Sequence, residues 1–240
     1  SPADRLAVTQ RQAWLMTHTD RRAEAARLAS EAVAPARAAR LGVGELLTIV
    51  GCARAWSGDM PGAIGPLTEA VAESRAEGSS GVAAQLMLGR TCSDLLRYDE
   101  ARQHLEEAYE AAKAENDPRS QVEALGHLAT LYYSLALNVK AENAFTEALE
   151  LARSIGYRRG EGINLVNLAG FHLLLGRGGR ALGLFAQADD VFAALGEGRG
   201  QAFVRLNGAE LAFWILGDDD GARVQAEQAA VYFRSVDDVR

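Results

Sequence analysis

A pattern of small residues recurs along this chain about every forty positions. Alanines seven apart bracket a third residue in Ala25/Ala29/Ala32, Ala63/Leu67/Ala70, Ala101/Leu105/Ala108, Ala141/Phe145/Ala148, Ala181/Phe185/Ala188 and Ala222/Ala226/Ala229. The first alanines stand 38, 38, 40, 40 and 41 residues apart. Self-similarity at such a period marks a solenoid, in which each unit buries its apolar face only against its neighbours. Twelve residues ahead of each first alanine lies another small residue: Ala13, Gly51, Gly89, Ala129 and Ala169. The sixth unit has Glu210 there, with Ala209 beside it. Turn-forming stretches lie between the two small sites, such as Gly58-Asp-Met60, Arg97-Tyr-Asp99 and Gly176-Arg-Gly178. Each unit therefore reads as helix A, a tight turn and helix B, packed antiparallel with their backbones close together.

The side-chain periodicity agrees. Ala101, Leu105, Ala108, Tyr109 and Ala112 share one stripe of a helix, with Glu106, Glu107 and Glu110 off it. No segment alternates with period two, so an all-α chain is expected. No stretch has the composition of a linker. The reading is one domain over residues 1–240, with units near 6–43, 44–81, 82–121, 122–161, 162–202 and 203–240. Pro61 suits the first turn of a helix B, where its missing N–H is not needed. Pro66 is expected to bend that helix or weaken its first turns, Pro35 to end the first helix B early, and Pro118 to lie in a link. The shorter units at the N-terminal end predict shorter helices there. A carboxylate at a close helix crossing is costly to bury unpaired. The sixth helix A is therefore expected to shift, by a π-bulge, so that Ala209 takes the small site and Glu210 does not.

The repeat resembles the tetratricopeptide repeat. The best match is Leu125-x2-Leu128-Ala129-x2-Tyr132 followed by Ala141-x3-Phe145-x2-Ala148, echoed by Leu165, Leu168, Ala169, Ala181, Phe185 and Ala188. It departs in its period, which is about 34 in that family, and in lacking the aromatic residue near the start of helix A. The longer period resembles the repeats of large bacterial transcription regulators of the LuxR and SARP types and of related signalling ATPases. The links Asn116-Asp-Pro-Arg119, Gly156-Tyr-Arg-Arg159 and Gly196-Glu-Gly-Arg199, in register at a 40-residue step, strengthen that likeness. The resemblance implies a right-handed superhelical solenoid of about six antiparallel helix pairs, cut from a larger cytoplasmic protein.

Charge and motif content exclude several functions. The net charge is −7 and there is no basic run, so direct nucleic-acid binding is not expected. No stretch of about 18 apolar residues suggests a membrane span. The histidines His18, His104, His127 and His172 occur singly, and Cys52 and Cys92 fall in different units. Neither a metal site nor a disulfide is expected, and no catalytic constellation or phosphate loop is present, so no cofactor is expected. Gly196-Glu-Gly198-Arg-Gly200 reads as a helix-terminating turn, not a nucleotide loop. Arg119, Arg159 and Arg199 read as caps of helix B or partners of carboxylates in the next unit, with an anion-binding ladder as the alternative.

The resemblance places function on a concave face lined by helices A. Carried over position by position, it names Trp14, Trp56, Tyr133 and Trp214 as apolar anchors, and Arg90, His127, Asn167 and Asn207 as polar orienters. Thr48, Cys52, Leu86, Val166 and Leu211 share that register. Arg90 either meets an acidic partner or pairs with Asp94 one turn later. Such a groove suits a protein, a peptide or a mid-sized organic ligand. A self-association scaffold is the competing reading, as a homodimer through an uncapped C-terminal repeat.

Overall fold

In the computed structural model, which describes residues 1–17, 21–213 and 217–237, all regular structure among the described residues is helical. The twelve helices are α1 (Pro2–Thr17), α2 (Arg22–Ala38), α3 (Gly44–Trp56), α4 (Met60–Ala76), α5 (Val82–Asp94), α6 (Tyr98–Ala114), α7 (Pro118–Ser134), α8 (Asn138–Ser154), α9 (Arg158–Leu174), α10 (Gly178–Leu195), α11 (Gly198–Leu211) and α12 (Asp219–Asp237). This is the all-α, TPR-like solenoid architecture expected from the repeat. Odd-numbered helices are helices A and even-numbered ones helices B. Contacts divide the chain into two compact units, Ser1–Leu131 and Tyr132–Arg240.

Helix stops recur about every twenty residues. Left-handed residues stand at Arg40, Gly58, Gly78, Leu96, Asn116, Ala136, Gly156, Gly176, Gly196 and Gly217. At Gly196 the capping N–H bonds Ala193 O at 3.0 Å and the next N–H, of Glu197, bonds Phe192 O at 3.0 Å. This double bond satisfies carbonyls left open at the helix end. The same pair recurs at Leu96 and Ala136, where a side chain must tolerate the left-handed backbone.

In the first unit α1–α2, α3–α4 and α5–α6 pack as pairs, α2 also packs on α3 and α4 on α5. The small site of helix A lies under the large residue of helix B. A Cβ added at Gly51 would stand 2.4 Å from Leu67 Cγ, and one at Gly89 would stand 2.7 Å from Leu105 Cγ. Leu67 and Leu105 are fully buried as a result, each gaining roughly 1.5–3 kcal/mol. Helices α3 and α5 have 13 residues against 17 for α4 and α6, so the N-terminal shortening falls on helices A. Pro61 stands at the start of α4, whose N-cap Asp59 accepts from Gly62 N at 3.0 Å. Pro66 lies inside that helix, which continues to Ala76.

Two proline expectations are corrected. Pro35 does not end α2 early: it sits in the last turn, and its own carbonyl accepts from Ala39 N at 3.1 Å. Only one late hydrogen bond is lost there, so the helix runs on to Ala38. Pro118 is not in a link but opens α7, where Asp117 Oδ1 accepts from Arg119 N and Ser120 N.

In the second unit α9–α10 and α11–α12 form pairs, α8 packs on α9 and α10 packs on α11. Ala169 lies fully buried at the small site, and Phe185 is buried opposite it. In the last pair Ala209 is buried and Glu210 is exposed, and the backbone takes a π turn at Ala212–Phe213, as the expected shift requires. Gly208 there faces Gln225, whose Oε1 would stand 2.1 Å from an added Cβ.

Ala136 is exposed and carries φ 57°. Ala136→Gly should stabilise the chain by about 1 kcal/mol, because glycine pays no steric cost there. Gly89→Val should destabilise it by roughly 1–3 kcal/mol through overpacking against Leu105. Urea unfolding followed by circular dichroism reads both.

Candidate functional site

Helices A of successive pairs touch one another: α1 with α3 and α3 with α5 in the first unit, and α9 with α11 in the second. Helices B meet through long side chains instead. Arg37 bonds Glu69 and Glu73, both at 2.5 Å, Arg75 bonds Glu107 at 2.8 Å, and Arg153 bonds Gln187 at 3.0 Å. The partly exposed residues of helices A therefore share one side of each stack.

In the first unit the expected anchors Trp14 and Trp56 come together, with ring centroids 6.5 Å apart, and both are half-buried. The Arg22 guanidinium bonds Trp56 O at 3.2 Å and Thr17 O at 3.3 Å, tying the first two pairs together. Arg90 is half-buried, with Nε 3.8 Å from Asp94 Oδ2, the internal pairing expected of it. His127 is partly exposed, but burial and then the nearby Arg90 charge lower its pKa to about 4. It is a neutral imidazole at physiological pH.

Four residues of the carried-over register are corrected to core. Thr48, Cys52, Leu86 and Leu211 are buried, on helices A that pack against both a helix B and a neighbouring helix A. Burial pushes the Cys52 thiol up to about 12, so it is no nucleophile. Cys52 and Cys92 are both free. Among the described residues no three histidine, cysteine or carboxylate groups are placed to hold a metal ion.

In the second unit Tyr133 stacks edge-on against Phe171 at 5.7 Å and stays half-buried. Asn207 donates to Phe203 O at 2.8 Å, one turn back in its own helix. Trp214 lies outside the described residues, as does His18. Asn167 lies in a cleft between α9 and α11. The cleft encloses about 280 Å³ and has Ile163, Val166, Phe192 and Phe203 as its apolar lining. Arg159, Glu197 and Arg199 stand with them. Arg159 Nε is 3.2 Å from Glu197 Oε1, so this arginine pairs with a carboxylate of the following link. Arg199 makes no ion pair among the described residues.

Sequence reasoning named Asn167, Val166 and the two arginines but missed Ile163, Phe192 and Phe203. A signal was available in the register. Ala36, Ser74, Ala112, Ala152 and Phe192 occupy one position of successive helices B, and all are buried. Only the fifth is large among these, and the sixth helix B likewise has Phe233 at this position. The Phe192 ring fits because both flanking helices A carry glycine. Added Cβ atoms at Gly162 and Gly200 would stand 2.8 Å and 2.5 Å from the Phe192 ring. The segment Gly196–Gly200 is the left-handed stop of α10 and the start of α11, as its reading as a turn implied.

A profile of the tetratricopeptide repeat matches residues 82–154, and the helix pairs on either side follow the same plan. The chain carries tetratricopeptide repeats. No curated protein matches it. Among solved structures it is similar to BtubC (BKLC) from P. vanneervenii, at 18% identity and TM-score 0.68, over 90% of this chain and 91% of that one. It is also similar to a Rap protein complexed with competence and sporulation factor, at 16% identity and TM-score 0.66, over 98% and 67%. A third is a signal transduction ATPase with numerous domains and a tetratricopeptide repeat sensor from Pyrococcus horikoshii, at 16% and 0.63, over 85% of this chain and 32% of that one. These likenesses establish the fold. Tetratricopeptide repeats are generally non-catalytic protein-binding modules. No described helix is long and apolar enough to cross a membrane.

The depressed pKa of His127 makes a pH prediction. Unfolded, this imidazole binds a proton below about 6.5; folded, it does so only near 4. The unfolded state therefore holds more protons in between, and stability falls as pH drops from about 6.5 towards 4. His104 and His172, also lowered by burial, act with the same sign. In urea titrations at pH 4.5 and 7.5, His127→Gln should shrink the difference in midpoint; an unchanged difference refutes the assignment.

Proposed function

We propose that residues 1–240 form one repeat domain that holds a protein or peptide segment against its helices A without catalysing a reaction. The observation that carries this reading is the cleft between α9 and α11, where exposed Ile163 and Phe203 flank Asn167 and two arginines. In monomeric proteins such apolar surface rimmed by polar groups marks an interaction site. Its volume of about 280 Å³ lies below the roughly 300–1,000 Å³ of small-molecule pockets. One or two large side chains of a peptide fit that space better than a mid-sized organic ligand. The paired Trp14 and Trp56 rings, with Arg90 and His127, are the corresponding contacts of the first unit, and Tyr133 and Asn207 extend those of the second. The wider role is that of the sensor or interaction region of a larger, cytoplasmic bacterial regulator of transcription. The fold likeness to a Rap protein and to a signalling ATPase with a repeat sensor supports that role. A partner that prefers one packing of the helix pairs would shift their population and pass the change to flanking domains.

A second reading is self-association through α12, where Val224 and Val231 are 46% and 60% exposed. Sedimentation over a wide concentration range should find the chain monomeric on the first reading. A dimer abolished by Val231→Asp would favour the second.

Selection of displayed random peptides against the purified chain tests the first reading. Recovered binders should lose affinity by roughly thirtyfold with Phe203→Asp. They should be indifferent to Leu182→Asp, an equally exposed apolar site on helix B α10. Equal losses at both sites, or no binder at all, would sink it.

A further inference from the structure

Resting on that reading, we infer that the cleft between α9 and α11 takes a peptide segment in which a carboxylate side chain neighbours a large apolar side chain. Phe192 replaces the alanine or serine of the four preceding units, and Gly162 and Gly200 make room for its ring. The sixth unit also has a phenylalanine there, Phe233, but Phe192 is the one that lies between two helices A, α9 and α11. It gives the cleft an aromatic floor, with Ile163 and Phe203, 42% and 54% exposed, as walls. An apolar side chain entering there meets carbon on three sides.

The charges fix what accompanies it. Arg159 and Arg199 with Glu197 leave a net positive charge at the cleft of a chain whose total is −7. Arg199 has no carboxylate partner among the described residues, and it is held beside the floor by the start of α11. An unpaired guanidinium at an apolar site favours a carboxylate that can make a forked contact. Asn167 adds a side-chain amide that can bond the peptide backbone.

Glu197 gives the site an internal competitor. Its backbone N–H bonds Phe192 O as part of the α10 cap, so floor and carboxylate are fixed by one motif. Its side chain occupies Arg159 at 3.2 Å. An arriving carboxylate therefore meets Arg199 first and competes with Glu197 for Arg159.

Fluorescent heptapeptides with acetylated and amidated ends provide the probe. Each carries one Phe or Leu and, within two positions, Glu, Gln or Lys. Glu peptides should bind about tenfold more tightly than Gln peptides, the worth of one hydrogen bond to a charged group, and Lys peptides more weakly still. Arg199→Gln should erase that preference while leaving the Gln peptides unchanged. Glu197→Gln should raise Glu-peptide affinity several-fold by freeing Arg159. Circular dichroism melts confirm that these exposed or half-exposed changes leave the fold intact. Equal binding of Glu and Gln peptides, sensitive to Phe203→Asp, would overturn this inference and leave the proposed function standing. No binding by any peptide would overturn both. Tighter binding of free 4-phenylbutyrate than of the peptides, or a dimer broken by Phe203→Asp, would assign the cleft to a small organic acid or a second copy and also overturn it.

Discussion

The α3–α4 and α5–α6 pairs depend on a small residue of helix A lying beneath a large residue of helix B. At Gly51 and Gly89 there is no room for even a methyl group unless Leu67 and Leu105 give way. This close approach sets the distance between the two helices, and the buried leucine or phenylalanine supplies the apolar energy that holds them. Because the arrangement is repeated, the core is a series of like contacts and not one centre, which is why an alanine-rich sequence with 7% aromatics can fold.

The same packing makes the two faces unequal. Helices A of adjacent pairs touch directly, whereas helices B are joined by arginines reaching across to Glu69, Glu73, Glu107 and Gln187. Exposed ion pairs of that kind contribute about 0–1 kcal/mol each, so they steady the stack without drawing its backbones together. On the helix A side, aromatic and polar side chains from neighbouring pairs stand close together. Trp14 and Trp56 meet there, as do Asn167 and Phe203 around the cleft.

The period, the helix pairs and the shift at Glu210 were readable because each rests on residue size at fixed spacing. The register also located Asn167 and the Trp14–Trp56 pair. It failed at Thr48, Cys52, Leu86 and Leu211, since a position on a helix does not say how closely the neighbouring helices cover it. Pro35 was misjudged because the cost of a proline depends on how many turns follow it, and only a few residues of α2 do. The cleft itself was missed for a related reason. Its floor comes from helix B, the element whose residues elsewhere are spent on the core.

Phe192 shows how such a repeat can form a cleft without losing its fold. The four preceding units satisfy the position with a residue no larger than serine, a pattern that Phe192 violates and that Phe233 of the sixth unit does not keep either. The violation is absorbed by removing two Cβ atoms, at Gly162 and Gly200, one on each flanking helix A. Glycine in a helix is destabilising by roughly 0.5–1 kcal/mol relative to alanine, so the pair is a cost that the repeat plan alone does not demand. What it yields is an aromatic surface at the edge of the helix A face, pinned by the same α10 cap that carries Glu197.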